Sequence, residues 1–232
     1  MSELVTIDQR FNGPPDTGNG GYVCGVLGGL IGGTAEVTLR RPPPLDRPLE
    51  VVRLDDGGIA LHDGETVIAE GAPATVEIEF PEPVSFDEAT AAAKSYIGFR
   101  HHPFPTCFVC GPQRAEGDGL HIFPGRVRGR DIVAAPWAPD PSLADKDGQV
   151  RPEIVWAALD CPSGFAVTTF ETVAVLGRLA AKLIAPVRPG ERCVVTGWPL
   201  GEEGRKLYSG TALFSADGEL RAFARATWIR IG

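Results

Sequence analysis

Asp160 interrupts the otherwise apolar run of RPEIVWAALDCPSG, Arg151 to Gly164. Burying an isolated carboxylate is costly, so this one must be paired, protonated or chemically employed. Ionised, it could draw a proton from water as a general base or attack a carbonyl itself; the residues alone do not separate the two. A second candidate is Asn19-Gly20-Gly21, at the start of the apolar segment GNGGYVCGVLGGLIGG. Free amides at a helix start, with the macrodipole behind them, suit an oxygen that gains negative charge, and the two glycines admit a substrate without a Cβ in its way. The corresponding opening of the later segment, Arg151-Pro152-Glu153, is poorer, because Pro152 has no N–H to give.

Other residues carry weaker signals. On a helix Glu153, Trp156 and Asp160 share one face, the two carboxylates roughly 10 Å apart at 1.5 Å rise per residue. Glu153 sits where a negative charge favours a helix start, and that is its simplest role beside substrate contact. Asp160 has a plain alternative as a helix terminator, since Pro162 removes an N–H just beyond it and predicts a kink. Asn12 in RFNGPP reads as a turn residue or as one that orients water, and Tyr22 and Phe11 read as core before acyl-pocket lining. Ser163 lacks a Gly-x-Ser-x-Gly setting, and no histidine follows His121, so a serine-hydrolase reading is weak. Cys107 and Cys110 form a Cys-x-x-Cys after His101 and His102, but no second ligand pair follows at zinc spacing. The expectation is a packed loop without metal, and free thiols for all five cysteines.

These groups need a scaffold, and the sequence repeats one. TAEVTLRRPPPLDRPLEVVRL, DDGG and IALHDGETVIAEGAPATVEIEF run strand, Pro-rich corner, strand, Gly turn, strand, Asp-Gly turn, long final strand. VLGRLAAKLIAPVRPGERCVVTGWPL, GEEG and RKLYSGTALFSADGELRAFARATWIRI do the same. Before each stands an apolar segment without strand alternation, 18 to 33 and 151 to 170, long enough for one central helix. The glycine-rich one is a poor isolated helix and implies tight packing, with small residues letting a sheet approach closely. Between the halves, Ser85 and Glu88 have capping-box spacing before ATAAAKSY, which predicts a connecting helix and linker over 81 to 106. Arg126, Arg128 and Arg130 alternate as on one strand face, a solvated edge before a phosphate cradle. With 43% hydrophobic residues and a net charge of −8, the chain reads as a soluble α+β protein that does not bind nucleic acid or an anionic membrane. The acidic and polar start MSELVTIDQRF is no signal peptide and no apolar run is long enough to span a bilayer, so the expected location is cytoplasmic.

An apolar helix wrapped by an antiparallel sheet, duplicated in one chain, resembles the double-hotdog acyl-CoA thioesterases. CFVCGPQRAEGDGLHIF is similar to the Cys-x-x-Cys-Gly-Pro and Gly-Leu lead-in of bacterial hotdog thioesterase-like proteins, and GNGGYVCGVL to the Gly-Gly-Tyr helix start of the acyl-CoA thioesterase group. The resemblance implies a tandem hotdog pseudo-dimer, repeats at 1 to 80 and 107 to 232. Related single-domain enzymes carry His-Gly-Gly and, seven residues on, an acid. Here Asn19-Gly20-Gly21 leads to Gly28 and Arg151-Pro152-Glu153 leads to Asp160, so each half keeps what the other has lost. The resemblance therefore implies one composite site per chain, Asp160 from one half with Asn19, Gly20 and Gly21 from the other. It implies a small acyl thioester as substrate, CoA entering only as part of it, and no further cofactor; association of two chains into a homodimer stays open. A non-catalytic acyl-binding protein on the same fold is the alternative reading, and a hydratase lacks the Asp-His pairing it would need.

Overall fold

Residues 3–169 and 171–231 are described by a computed structural model, so Phe170, the expected end of the second apolar segment, lies outside the described residues. Helices α1 (Gly20–Ile31) and α3 (Pro152–Val167) pack against each other in antiparallel sense. Glycine decides how closely. A Cβ on Gly21 would stand 2.4 Å from Asp160 Cβ, one on Gly25 2.6 Å from Glu153 Cα, and one on Gly28 2.6 Å from Trp156 Cζ2. The glycine face of α1 thus receives another helix and not, as the sequence suggested, a sheet. Gly29 faces open space. Gly25→Ala is therefore expected to destabilise the fold by about 1–3 kcal/mol through overpacking against backbone. Gly29→Ala should instead stabilise it by about 0.5–1 kcal/mol through helix propensity. Denaturant unfolding of the two variants checks the opposite signs.

The strands are β1 (Glu3–Thr6), β2 (Ala35–Leu39), β3 (Pro48–Arg53), β4 (Ile59–Asp63), β5 (Thr66–Pro73), β6 (Gly125–Arg126), β7 (Val133–Trp137), β8 (Ala174–Leu183), β9 (Cys193–Glu203), β10 (Lys206–Ser215) and β11 (Leu220–Arg230). They form one antiparallel sheet in the order β1-β3-β4-β5-β2-β8-β11-β10-β9-β7-β6. Outward from the seam between β2 and β8, where Ala35 to Thr38 pair with Ala181 to Arg178, the connectivity is the same in both directions as far as β1 and β7. One face of the sheet holds α1 and α3 in one continuous core, with Leu27, Leu61, Ile154, Leu159 and Leu179 fully buried.

Two expectations about strands fail. β5 ends at Pro73, which has no N–H to continue the ladder, and residues 74–80 leave as an extended segment. Val76 and Phe80 then cover the outer face of the later strands, Phe80 packing on Trp198, Phe214 and Phe223. Arg126, Arg128 and Arg130 do not share one strand, because β6 stops at Arg126 and the chain turns at Gly129 (φ +74°). Arg126 pairs with Asp131 at 2.9 Å, and Arg130 donates to the carbonyls of Glu82 and Pro83. The expected connecting helix is α2 (Phe86–Ala93), closed at its start by the Ser85–Glu88 capping box and seated on β7.

Candidate active site

The start of α1 and the middle of α3 meet at one carboxylate. Asn19 caps α1, its Oδ1 accepting from the Tyr22 N–H at 2.9 Å, which leaves its Nδ2 free to donate to Asp160 Oδ2 at 3.0 Å. Gly21 N–H donates to the same oxygen at 2.9 Å. Asp160 Oδ1 is buried without a partner among the described residues. The side chain is 2% exposed, and burial pushes its pKa up to about 7. The Gly21 amide and the Asn19 side chain oppose that rise, and nearby Cys107 adds to it.

Asp160 does not terminate its helix. α3 runs on through Pro162 to Val167, and Ser163 Oγ donates to the Asp160 carbonyl at 2.6 Å while accepting from Trp228 Nε1 at 2.8 Å. Those two bonds account for Ser163 as a packing residue. The main consequence of the helix continuing is geometric: with a full turn of helix on either side, Asp160 is fixed in the α1-facing stripe with Glu153 and Trp156.

Asp160, Asn19 and Gly20 line a cavity of about 480 Å³, within the range of small-molecule sites. Its walls are mostly apolar, with Leu176, Phe165, Trp228 and Ile229 among them, and Arg40 and Arg41 also border it. Arg40 is paired with Glu70 at 2.7 Å. The Arg41 side chain donates only to the Arg40 carbonyl, at 3.3 Å, among the described residues. At the helix start the N–H groups of Gly21, Tyr22 and Val23 are engaged with Asp160 and Asn19. That of Gly20, at the cavity wall, is the one left without a protein acceptor among the described residues.

The structure brings together four of the residues singled out by sequence, Asp160, Asn19, Gly20 and Gly21, and keeps four others out of the cavity wall. Asn12 accepts from the buried Arg114 guanidinium at 2.7 Å and donates toward Thr106 and Gly13, so its polar atoms are spent on the loop. Tyr22 stacks on Phe11 with ring centroids 4.0 Å apart, and burial raises its pKa to about 12. Glu153 lies in the first turn of α3 with Arg151 3.6 Å away. Trp156 presses its indole onto Gly28. That contact fills the place where a second acid, related to Asp160 by the sheet's symmetry, would stand, so the mirror position is closed as well as acid-free. The Cys-x-x-Cys pair of the sequence gains a third thiol that its spacing did not indicate. Cys107, Cys110 and Cys161 converge beside Asp160, their three Sγ atoms within 4.8 Å of one another. Hydrogen bonds from the other two thiols hold the Cys107 pKa well below its usual value.

No family model matches this sequence, and no curated protein does. Among solved structures, the fold is similar to that of a tesB protein of Mycobacterium avium subsp. paratuberculosis, with 12% identity, a TM-score of 0.62, and coverage of 99% of this chain and 92% of that one. It is similar too to a conserved protein of unknown function with hot dog fold from Alicyclobacillus acidocaldarius, with 10% identity, a TM-score of 0.60 and the same two coverages. Over essentially its whole length, then, the chain has the hotdog fold, in an arrangement similar to that of a TesB protein.

Proposed function

We propose that the chain hydrolyses an acyl thioester such as an acyl-CoA at the cavity between α1 and α3. The observation that carries this reading is the Asp160 carboxylate, which is held by one oxygen through Gly21 and Asn19 while the other has no partner among the described residues, in the wall of an apolar cavity. One fixed and one uncommitted oxygen is what a carboxylate needs to take a proton from water or to attack a carbonyl. The Gly20 N–H supplies the complementary charge. At the positive end of α1 it stabilises the thioester oxygen as it becomes an oxyanion, while the Gly21 N–H orients the acid. The apolar walls take the acyl chain, and the reaction converts thioester and water into carboxylic acid and free thiol.

The direct test is thiol release from a panel of acyl-CoA esters of increasing chain length. Turnover above the uncatalysed rate for at least one length supports the reading. Thermal stabilisation by these esters without thiol release would replace it with an acyl-binding role. Arg41 at the cavity border suits the phosphates of a CoA moiety. Arg41→Ala is expected to raise KM for an acyl-CoA about 2- to 5-fold, the scale of an exposed ion pair. KM for a truncated thioester without phosphates should stay unchanged, which separates charge contact from disturbed folding.

A further inference from the structure

We propose that Cys107, Cys110 and Cys161 form a binding site for one zinc-class divalent cation at the wall of the cavity. Their Sγ atoms lie within 4.8 Å of one another, with 3.7 Å between Cys107 and Cys161. Sulfurs bound to one tetrahedral zinc at about 2.3 Å each stand about 3.8 Å apart. One pair is already there, and the others need to close by no more than about 1 Å.

The backbone is shaped for it. Cys107 and Cys110 sit on a turn closed by the Gly111 N–H on the Cys107 carbonyl at 2.9 Å. A Cβ on Gly111 would lie 2.5 Å from Cys107 N, so the chain folds back this tightly only with glycine there. Cys161 arrives from α3, one residue after Asp160 and therefore about 100° around the helix, facing the turn while Asp160 faces α1. Asn19 Nδ2 is 3.9 Å from Cys107 Sγ. That amide spreads the negative charge of a bound Cys107 thiolate.

His102 supports the site without completing it. Its Nδ1 accepts from the Phe104 N–H at 2.9 Å, so the neutral ring carries its proton on Nε2, which lies 3.3 Å from Cys110 Sγ and donates to it. The fourth coordination position therefore falls to water or another small ligand from the cavity, which all three cysteines border. Binding displaces the proton from each thiol that still carries one, forms three metal–sulfur bonds and releases the displaced protons to solvent, with no change of oxidation state. Cys24 and Cys193 are buried elsewhere and serve as internal controls.

The test uses the reduced full chain, stripped with a chelator and titrated with Co²⁺. We expect one equivalent bound, with thiolate-to-cobalt charge-transfer absorption that one equivalent of Zn²⁺ removes. Alkylation mapped by mass spectrometry should show zinc-dependent protection at Cys107, Cys110 and Cys161 and none at Cys24 or Cys193. Cys161→Ser should abolish the charge-transfer band, Cys193→Ser should keep it, and His102→Ala should weaken binding about 10- to 100-fold. If Cys161→Ser fails to fold, the wild-type titration and alkylation map decide alone. Absence of the band in the reduced wild type, or air oxidation to a Cys107–Cys161 disulfide with no metal taken up, overturns the proposal. Neither result depends on thioester turnover.

Discussion

Asp160→Asn should leave a folded chain whose thioester turnover falls about 10²- to 10⁴-fold, the usual contribution of a positioned proton-transfer group. The expectation of an intact fold comes from the hydrogen bonds. The new amide oxygen takes the place of Oδ2 and accepts from Asn19 Nδ2 and the Gly21 N–H, now at 3.0 and 2.9 Å. The amide nitrogen takes the place of Oδ1, which has no partner to lose among the described residues. At worst one buried donor goes unsatisfied, a cost of about 1–3 kcal/mol. Asp160→Ala is a worse probe, because it strands both donors and opens a void against α1. The readout is kcat for the best acyl-CoA beside the melting temperature. Unchanged kcat in a variant that folds normally would remove the carboxylate from the reaction.

The two halves of the candidate site were visible in sequence because they rest on residue types that are expensive anywhere else, whereas their meeting was implied only by the family resemblance. A carboxylate in an apolar run and two adjacent glycines at a helix start each needed a reason, and the geometry joins them at 2.9 Å. The four strands following each central helix were visible too, since turn dipeptides and β-branched runs are local signals. What escaped was non-local. Cys161 is an ordinary buried thiol until the fold carries it to Cys107 and Cys110, far from it in the chain. Asn12 read as a turn residue or one that orients water, and its oxygen is claimed by Arg114, a partner 102 residues away. Asp160 before Pro162 suggested a helix end, yet α3, buried along most of its length, continues through both. The glycines of α1 announced a close approach, but the partner they implied, a sheet, is instead the helix α3.

The same local contrast between the two helix starts yields a second large effect, at Gly20. Proline is well suited to the first helical position, where its fixed φ fits and its missing N–H breaks no intrahelical bond. Pro152 already occupies that position in α3. Asn19, with φ −61° and ψ 130°, has the extended conformation a following proline requires. Gly20→Pro thus removes one N–H at the cavity wall while leaving α1 intact. The added ring presses on the side chains of Leu176 and Leu39, about 3.0–3.1 Å from a Cβ at this position, and both can shift by a few tenths of an ångström. Gly20→Ala carries the same Cβ pressure and keeps the amide. If the Gly20 N–H stabilises the oxyanion, kcat of the proline variant should fall about 10²- to 10³-fold below that of the alanine variant, the measured scale for losing one such donor. Equal kcat in two equally stable variants would strip Gly20 of that role and leave the Gly21 amide, released from Asp160, as the donor to be tested in its place.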